Sequence, residues 1–170
     1  MTDWSVIVEQ HGPLVWRTVY RLLNNEADAA DCFQSAFLAA FELTTKSEVR
    51  NWAGLLKRLA TVQALDRLRV RYRDRDRHTS WPEDGVTDLQ VDPLRVLENA
   101  ELADRLRIAL TTIDDRQAEV FCLACLEGFR YREIGNQLRL SVNHVGVLLN
   151  RAKASLRELL ADQRPTETEL

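Results

Sequence analysis

The 170-residue chain reads as all-α, in two small helical domains joined by a flexible linker. Three observations predict this. Apolar residues recur three and four positions apart along most of the length, the period of an amphipathic helix. Alternating strand patterns are nearly absent, and glycine and proline number only six and four. One stretch, HTSWPEDGVTDLQVD at 78–92, breaks the helical period with acids, Pro82 and Gly85, and marks a boundary between two halves. The expected organisation is therefore 1–77, an acidic linker 78–92, a second domain 93–162 and a polar, disordered tail 163–170.

Each element has its own signal. The spacing predicts a first helix over 3–23, broken near Gly12-Pro13. Asn24-Asn25 offers a cap for a second helix that reaches about residue 42, with Glu26 and Asp28 in its first turn. Phe33, Phe37 and Phe41 fall on one face of it, and Asp28, Asp31 and Ser35 on the opposite one. The polar run Thr44-Thr45-Lys46-Ser47 is a loop. A long helix over 48–75 follows. Beyond the linker, Asp92-Pro93 is a cap followed by proline at the first helical position, opening a helix to about 110. A helix over 115–126 is stopped by Gly128. Helices over 131–138 and 142–162 are joined by Arg139-Leu140-Ser141.

Composition narrows the class. Hydrophobic residues make up 45% and charged ones 29%, enough apolar material for a core. Three cysteines, an odd number, suit free thiols in a reducing compartment. The N-terminus has neither a basic start nor an apolar run, and no stretch approaches 18 apolar residues. The expected location is the cytoplasm, without a membrane span. The net charge of −3 speaks against nucleic-acid binding unless the charge is clustered.

It is clustered. From Lys57 to Arg77 eight basic residues face three acids, a local excess of +5. Lys57, Arg58, Arg67, Arg69, Arg71 and Arg73 belong to it, and grouped guanidinium groups attract phosphates and release counterions. Tyr72 could stack on an unpaired base. The same run could equally be a solvated, salt-bridged helix end. Trp52, Leu55, Leu56, Leu59 and Val62 form the apolar stripe of this helix, and Asp66 continues it. A carboxylate there is costly unless paired, and Arg69, three residues on, is within reach.

The second constellation lies in the C-terminal half. A short helix beginning Tyr131-Arg132, a three-residue turn ending in Ser141 and a longer helix have the form of a helix-turn-helix. Val142, Val145, Leu149, Ala152, Leu156 and Leu160 make its inner stripe. The other side shows Asn143, His144, Val147, Asn150 and Arg151, types that read base edges in a major groove: asparagine pairs with adenine, and valine meets a thymine methyl. Helix pairs with short turns also occur in plain bundles. Cys122 and Cys125 have the spacing of half a zinc site, but they lie in an apolar helix with Cys32 far off in sequence, and read as core thiols. No phosphate loop, nucleophile motif or clustered titratable set points to an enzyme, a metal or a cofactor.

These residues resemble a family. DAADCFQSAF at 28–37 is similar to the D-A-x-D-x-x-Q-x-x-F signature of sigma-70 class RNA polymerase sigma factors, in the short extracytoplasmic-function (ECF) group that keeps two domains. The resemblance implies that Asp28, Asp31 and Gln34 dock on the clamp coiled coil of the polymerase β′ subunit. The stretch from Trp52 through LLKRLATVQALDRLRVR is similar to the family helix that melts and reads the minus-ten promoter element. By that likeness the loop 44–51, with Thr45, Lys46, Ser47 and Asn51, holds a flipped base, while Lys57, Arg58 and the arginines after Asp66 hold DNA backbone. Flipping is needed because edges of a strand to be opened are readable only once unstacked. IDDRQAEVFCLACLEGFRYREIGNQLRLSVNHVGVLLNRAKASLREL resembles the family's fourth region, with Arg116, Tyr131, Glu133 and Arg151 among the matching positions. That region implies minus-thirty-five reading and packing on the polymerase β flap.

The implied partners are core polymerase and promoter DNA, with an anti-sigma protein as the kind of inhibitor many relatives have. The alternative is a non-initiating helix-turn-helix regulator or helical partner-binding protein on the same fold. It is favoured by the departures early in the recognition helix. His144, Gly146, Val147 and Leu148 stand where relatives often carry threonine and a lysine, serine and arginine run, and Gly146 costs about 1 kcal/mol of helix propensity against alanine. Val62 stands where the family often has asparagine.

Overall fold

The computed structural model describes residues 1–73 and 92–161. Arg75, Arg77, the acidic connector up to residue 91 and the tail 163–170 lie outside the described residues. Among those described there are helices and no strands. They are α1 (Trp4–Leu23), α2 (Glu26–Thr44), α3 (Trp52–Arg73), α4 (Pro93–Val96), α5 (Ala100–Thr112), α6 (Asp115–Phe121), a π turn (Cys122–Leu126), α7 (Tyr131–Leu138) and α8 (Val142–Ala161).

Local chemistry sets most boundaries. Asp3 caps α1, its carboxylate accepting from the amides of Ser5 and Val6. Asn24 and Asn25 split two tasks. Asn24 takes a left-handed conformation (φ 45°) that ends α1, and the Asn25 side chain accepts from the Asp28 amide to begin α2. The long helix begins at Trp52 rather than 48, because the Asn51 side chain accepts the Gly54 amide at 2.9 Å and fixes the start there. Two other expectations are corrected. The helix read as 93–110 is two helices, since Asn99 caps a new one by accepting the Leu102 amide. The helix read as 115–126 changes pitch at Cys122, where the Glu127 amide reaches back five residues to the Cys122 carbonyl.

Pro13 does not break α1. The proline leaves one carbonyl without its helical donor, but Ile7, Gly12, Val15, Val19, Leu22 and Leu23 are buried along one side of the same helix. Each large apolar side chain so buried stabilises by about 1.5–3 kcal/mol, so together they outweigh one lost hydrogen bond.

Two helical domains result. In the first, α1 and α2 both pack on α3. In the second, α6 and α8 form the centre, with α5 and α7 against α8. The domains also pack on each other: α3 touches α5, α6, α7 and the π turn, and the buried apolar residues form one continuous cluster through both.

Three burial expectations change with the tertiary context. Phe37 is buried, but Phe41 of the same face is 51% exposed at the rim. Asp66 faces solvent instead of continuing the apolar stripe, and Leu65 and Leu68 take the inner positions. Val142 is exposed while Leu148 is buried, so the inner stripe of α8 runs through Val145, Leu148, Leu149, Ala152, Leu156 and Leu160.

Candidate polymerase-docking and DNA interfaces

The signature of α2 occupies an outer face. Asp28 sits in the first turn and accepts from Arg71 at 2.8 Å, with Arg67 at 3.9 Å. Asp31 accepts from Arg67 at 3.0 Å and is largely exposed, as is Gln34. The helix thus offers carboxylates already oriented by α3. Next to Gln34 lies an apolar groove of about 390 Å³ lined by Trp4, Val8, Phe33, Phe37, Leu38 and Phe41. Sequence periodicity missed this groove, because it forms only where α1 meets α2.

The basic run on α3 divides by role. Arg67 and Arg71 tie α3 to α2, and Arg71 also donates to the Leu23 carbonyl. Arg69 pairs with Asp66 at 2.7 Å, as its spacing predicts, and lies 3.1 Å from Asp115 of the second domain. Arg73 is exposed. Tyr72 is buried, with Arg71 over its ring at 6.0 Å, so base stacking would require it to leave the core. In the loop before α3 the Thr45 hydroxyl donates to the Glu42 carbonyl, while Lys46, Ser47 and Asn51 face solvent.

Lys57 and Arg58, near the start of α3, are covered by the second domain. The Lys57 ammonium lies 5.7 Å from the centre of the Phe129 ring. Arg58 donates to the Gln137 side chain at 3.2 Å. Burial lowers the Arg58 pKa, Glu119 opposing it and Arg116 adding to it. Burial likewise raises the Glu119 carboxyl, which Arg116, Arg58 and Arg69 draw back down.

The helix-turn-helix is built as its sequence predicts. Arg139 closes α7 in a left-handed conformation (φ 57°), and the Leu140 amide donates to the Gly135 carbonyl. Gly135 is required there, because a Cβ would sit 2.6 Å from the Leu140 carbonyl oxygen. The Ser141 hydroxyl accepts the His144 amide at 3.1 Å and opens α8. Asn143, His144, Val147, Asn150 and Arg151 share the exposed side of α8, beside exposed Tyr131 and Arg132. Arg116, also exposed, reaches Glu119 at 3.4 Å. Gly146 faces the Tyr131 ring: a Cβ there would lie 3.5 Å from it. Cys122 is buried and Cys125 half-buried, and burial raises both thiols.

Comparison with known proteins decides the family. The Sigma-70 region 2 family model matches residues 7–74, and the Sigma-70, region 4 model matches 103–156. The chain belongs to the sigma-70 family, in its ECF group. It is 31% identical over 163 residues to the ECF RNA polymerase sigma factor SigE of Mycolicibacterium smegmatis, covering 95% of this chain and 63% of that relative. It is 26% identical to the ECF sigma factor SigW of Bacillus subtilis, covering 92% of this chain and 88% of the other. The chain therefore spans somewhat under two thirds of the SigE relative's length. Among solved structures it resembles the sigma factor RpoE in complex with the anti-sigma factor NepR from Bartonella quintana. The TM-score is 0.53 at 17% identity, covering 94% of this chain and 98% of that one, a likeness of fold.

This sigma factor also carries functional candidates that sequence reasoning passed over. Arg107 is almost fully buried. It donates from Nε to the Leu22 carbonyl at 2.6 Å and from Nη2 to the Arg21 carbonyl at 3.2 Å, both at the end of α1. Arg21 returns the contact: it donates to the Leu126 carbonyl at 2.7 Å and pairs with Glu127 at 3.5 Å. Each domain thus supplies an arginine to orphan carbonyls at a helix end of the other. The signal in the sequence is a pair of arginines, Arg105 and Arg107, set among the apolar positions Leu102, Leu106 and Leu110 of α5.

Proposed function

We propose that this chain is a promoter-specificity subunit that binds core RNA polymerase and directs transcription initiation, with no chemistry of its own. Supporting this reading above all is the ordered pair of sigma regions, with Asp31 and Gln34 of the first and Asn143, His144, Val147, Asn150 and Arg151 of the second exposed. Asp28, Asp31 and Gln34 dock on the polymerase clamp coiled coil, and the groove beside Gln34 receives apolar side chains there. The loop 44–51 takes a flipped minus-ten base, with Thr45, Lys46, Ser47 and Asn51 around it. Lys57, Arg58, Arg67, Arg69, Arg71 and Arg73 serve DNA phosphates of the opened region, and Tyr72 backs that surface. The exposed side of α8 reads the upstream element through Asn143, His144, Val147, Asn150 and Arg151. Arg116, Tyr131, Arg132 and Ser141 steady the flanking backbone.

On this reading 1–77 grips polymerase and the minus-ten element, 93–162 reads the minus-thirty-five element and packs on the β flap, and 78–92 links them. The protein acts in the cytoplasm, where an anti-sigma protein is a fitting inhibitor. Among the described residues no helix is long and apolar enough to cross a membrane.

Reconstitution with purified core polymerase tests this. A stable complex and specific run-off transcripts from genomic promoter fragments are expected. DNA binding without core binding would favour the non-initiating regulator, for which the donor-poor start of α8 is the motivating feature.

A further inference from the structure

We propose that this chain reads its upstream element through a thymine C5-methyl group, with Val147 of α8 covering the methyl and Asn143 and Asn150 holding adenines on either side of it. The proposal rests on the reading of α8 as the helix that enters the major groove.

The observation that carries it is an apolar strip on the face that such a helix turns to the bases. Val142 is 52% exposed, Val147 44% and Tyr131 40%. Gly146 stands between the two valines around the helix and has no side chain to shield them. It also lies against the Tyr131 ring, from which a Cβ would be 3.5 Å away. Single apolar side chains in water are ordinary, but three of them grouped about one glycine form a patch.

The chemistry of the groove says what this patch can recognise. Guanine presents N7 and O6 acceptors, which call for arginine or lysine. Between Val142 and Asn150 the exposed residues are Val142, Asn143, His144, Val147 and Asn150, with neither type among them. Adenine presents N6 and N7 to an asparagine amide, and thymine presents a methyl that an apolar side chain covers. Asn143 lies one turn before Val147 on the same side of α8, and Asn150 one turn after it. The rise from Asn143 to Asn150 is about 10 Å, or about three base-pair steps of about 3.4 Å. This side of α8 therefore fits a short run of A·T pairs with a thymine methyl near its centre.

Charge around the strip favours DNA over an apolar protein surface. Arg130 and Arg132 flank Tyr131, Arg139 lies in the turn and Arg151 follows Asn150, and all four are exposed. Guanidinium groups at the rim meet the phosphates that border a major groove, while the apolar centre meets base edges. An apolar protein surface would supply no such anions.

The test replaces single thymines by deoxyuridine, which removes the methyl and keeps every hydrogen-bonding group. Duplexes are first selected from a random pool by the full chain assembled with core polymerase, then resynthesised with one uracil at a time. At one upstream position uracil should weaken wild-type binding about 4-fold, the effect of uncovering one methyl. Val147→Ala should bind the thymine and uracil duplexes alike, which closes a cycle on that one contact. At the same position 5-methylcytosine should bind the wild type more tightly than cytosine, and the variant should not tell them apart. Val147 is exposed, so the alanine variant should keep its helix content by circular dichroism. The absence of a uracil-sensitive upstream position, or equal sensitivity in Val147→Ala, overturns the proposal. So does a variant that loses core polymerase binding with its response to the methyl intact, since the strip would then face protein. Failure of the wild type to bind core polymerase defeats the sigma-factor reading instead. The same selection with the full chain alone then decides the methyl contact, and binding to no duplex overturns it.

Discussion

Asp28 and Asp31 belong to one signature but stand in different surroundings, and the difference predicts separable effects. Asp31 keeps most of its side chain in water and makes a single exposed pair with Arg67, worth about 0–1 kcal/mol. Asp28 is largely covered and oriented by Arg71, whose guanidinium also satisfies the end of α1. Asp31→Ala should therefore weaken core polymerase binding while leaving the urea midpoint nearly unchanged. Asp28→Ala should lower both, by about 1–3 kcal/mol in stability, because a half-buried guanidinium loses its partner. Loss of stability of equal size in both variants would contradict these assignments. At Gly146, a Cβ would stand 3.5 Å from the Tyr131 ring, an ordinary contact. Gly146→Ala should then stabilise the protein by up to about 1 kcal/mol, the propensity difference, read as a rise in the denaturation midpoint.

Glu127 gives a residue-scale pH effect. Its carboxyl is pushed up from the usual 4.5 by burial, against the pull of Arg21, a Thr18 hydrogen bond, Lys57 and Arg17. The folded state thus holds the proton to higher pH than the unfolded state does. Its contribution is fully present below the unfolded pKa and is lost as pH rises through the folded one. Urea unfolding from pH 4.5 upward should show the wild type losing stability relative to Glu127→Gln, whose side chain does not titrate. Parallel curves for the two proteins would show that burial of this carboxyl has no such effect.

At the scale of the element, the caps are legible in the sequence and the pitch is not. Asp3, Asn25, Asn51, Asp92, Asn99, Asp114 and Ser141 each accept an amide at a helix start. Asn25 and Asp92 read as caps from sequence. Asn99 does not, because apolar periodicity runs across it. The π turn has no local signature at all: Cys122-Leu123-Ala124-Cys125-Leu126 is apolar throughout, and its extra residue is absorbed where Arg21 and Phe129 take up the released carbonyls of Leu126 and Leu123. Asp114 is a measurable case, since it accepts from both Arg116 and Gln117 amides. Asp114→Ala should cost about 1 kcal/mol in urea denaturation, and Asp114→Asn much less. Within α3 the charge excess is plain from the sequence, but the role of each arginine is not. Sequence spacing shows which arginines share a helix, and only tertiary packing shows that Arg67 and Arg71 face α2.

At the scale of the whole molecule, two domains can be read from a break in periodicity, but their docking cannot. Docking depends on Arg21, Arg107, Gln137 and Asp115 meeting across separations in sequence that no local pattern encodes. Its consequence is thermodynamic coupling. Apolar burial continues from Leu56 and Leu65 through to Leu106 and Leu123, so neither domain can unfold without exposing part of the other. The chain carries its own probes for this. Of its four tryptophans, Trp4, Trp16 and Trp52 lie in the first domain, Trp81 lies in the connector, and the second domain has none. Tryptophan fluorescence therefore follows chiefly the first domain, while far-ultraviolet circular dichroism follows helices of both. In the wild type the two urea transitions should coincide. With R21A, D115A and Q137A together three of the polar ties between the domains are lost while Arg107 still holds the end of α1, so the coupling should weaken and the two midpoints should move apart. Coincident midpoints in both proteins would mean that the apolar contact and Arg107 suffice to couple the domains, and separated midpoints already in the wild type would mean that they are not coupled.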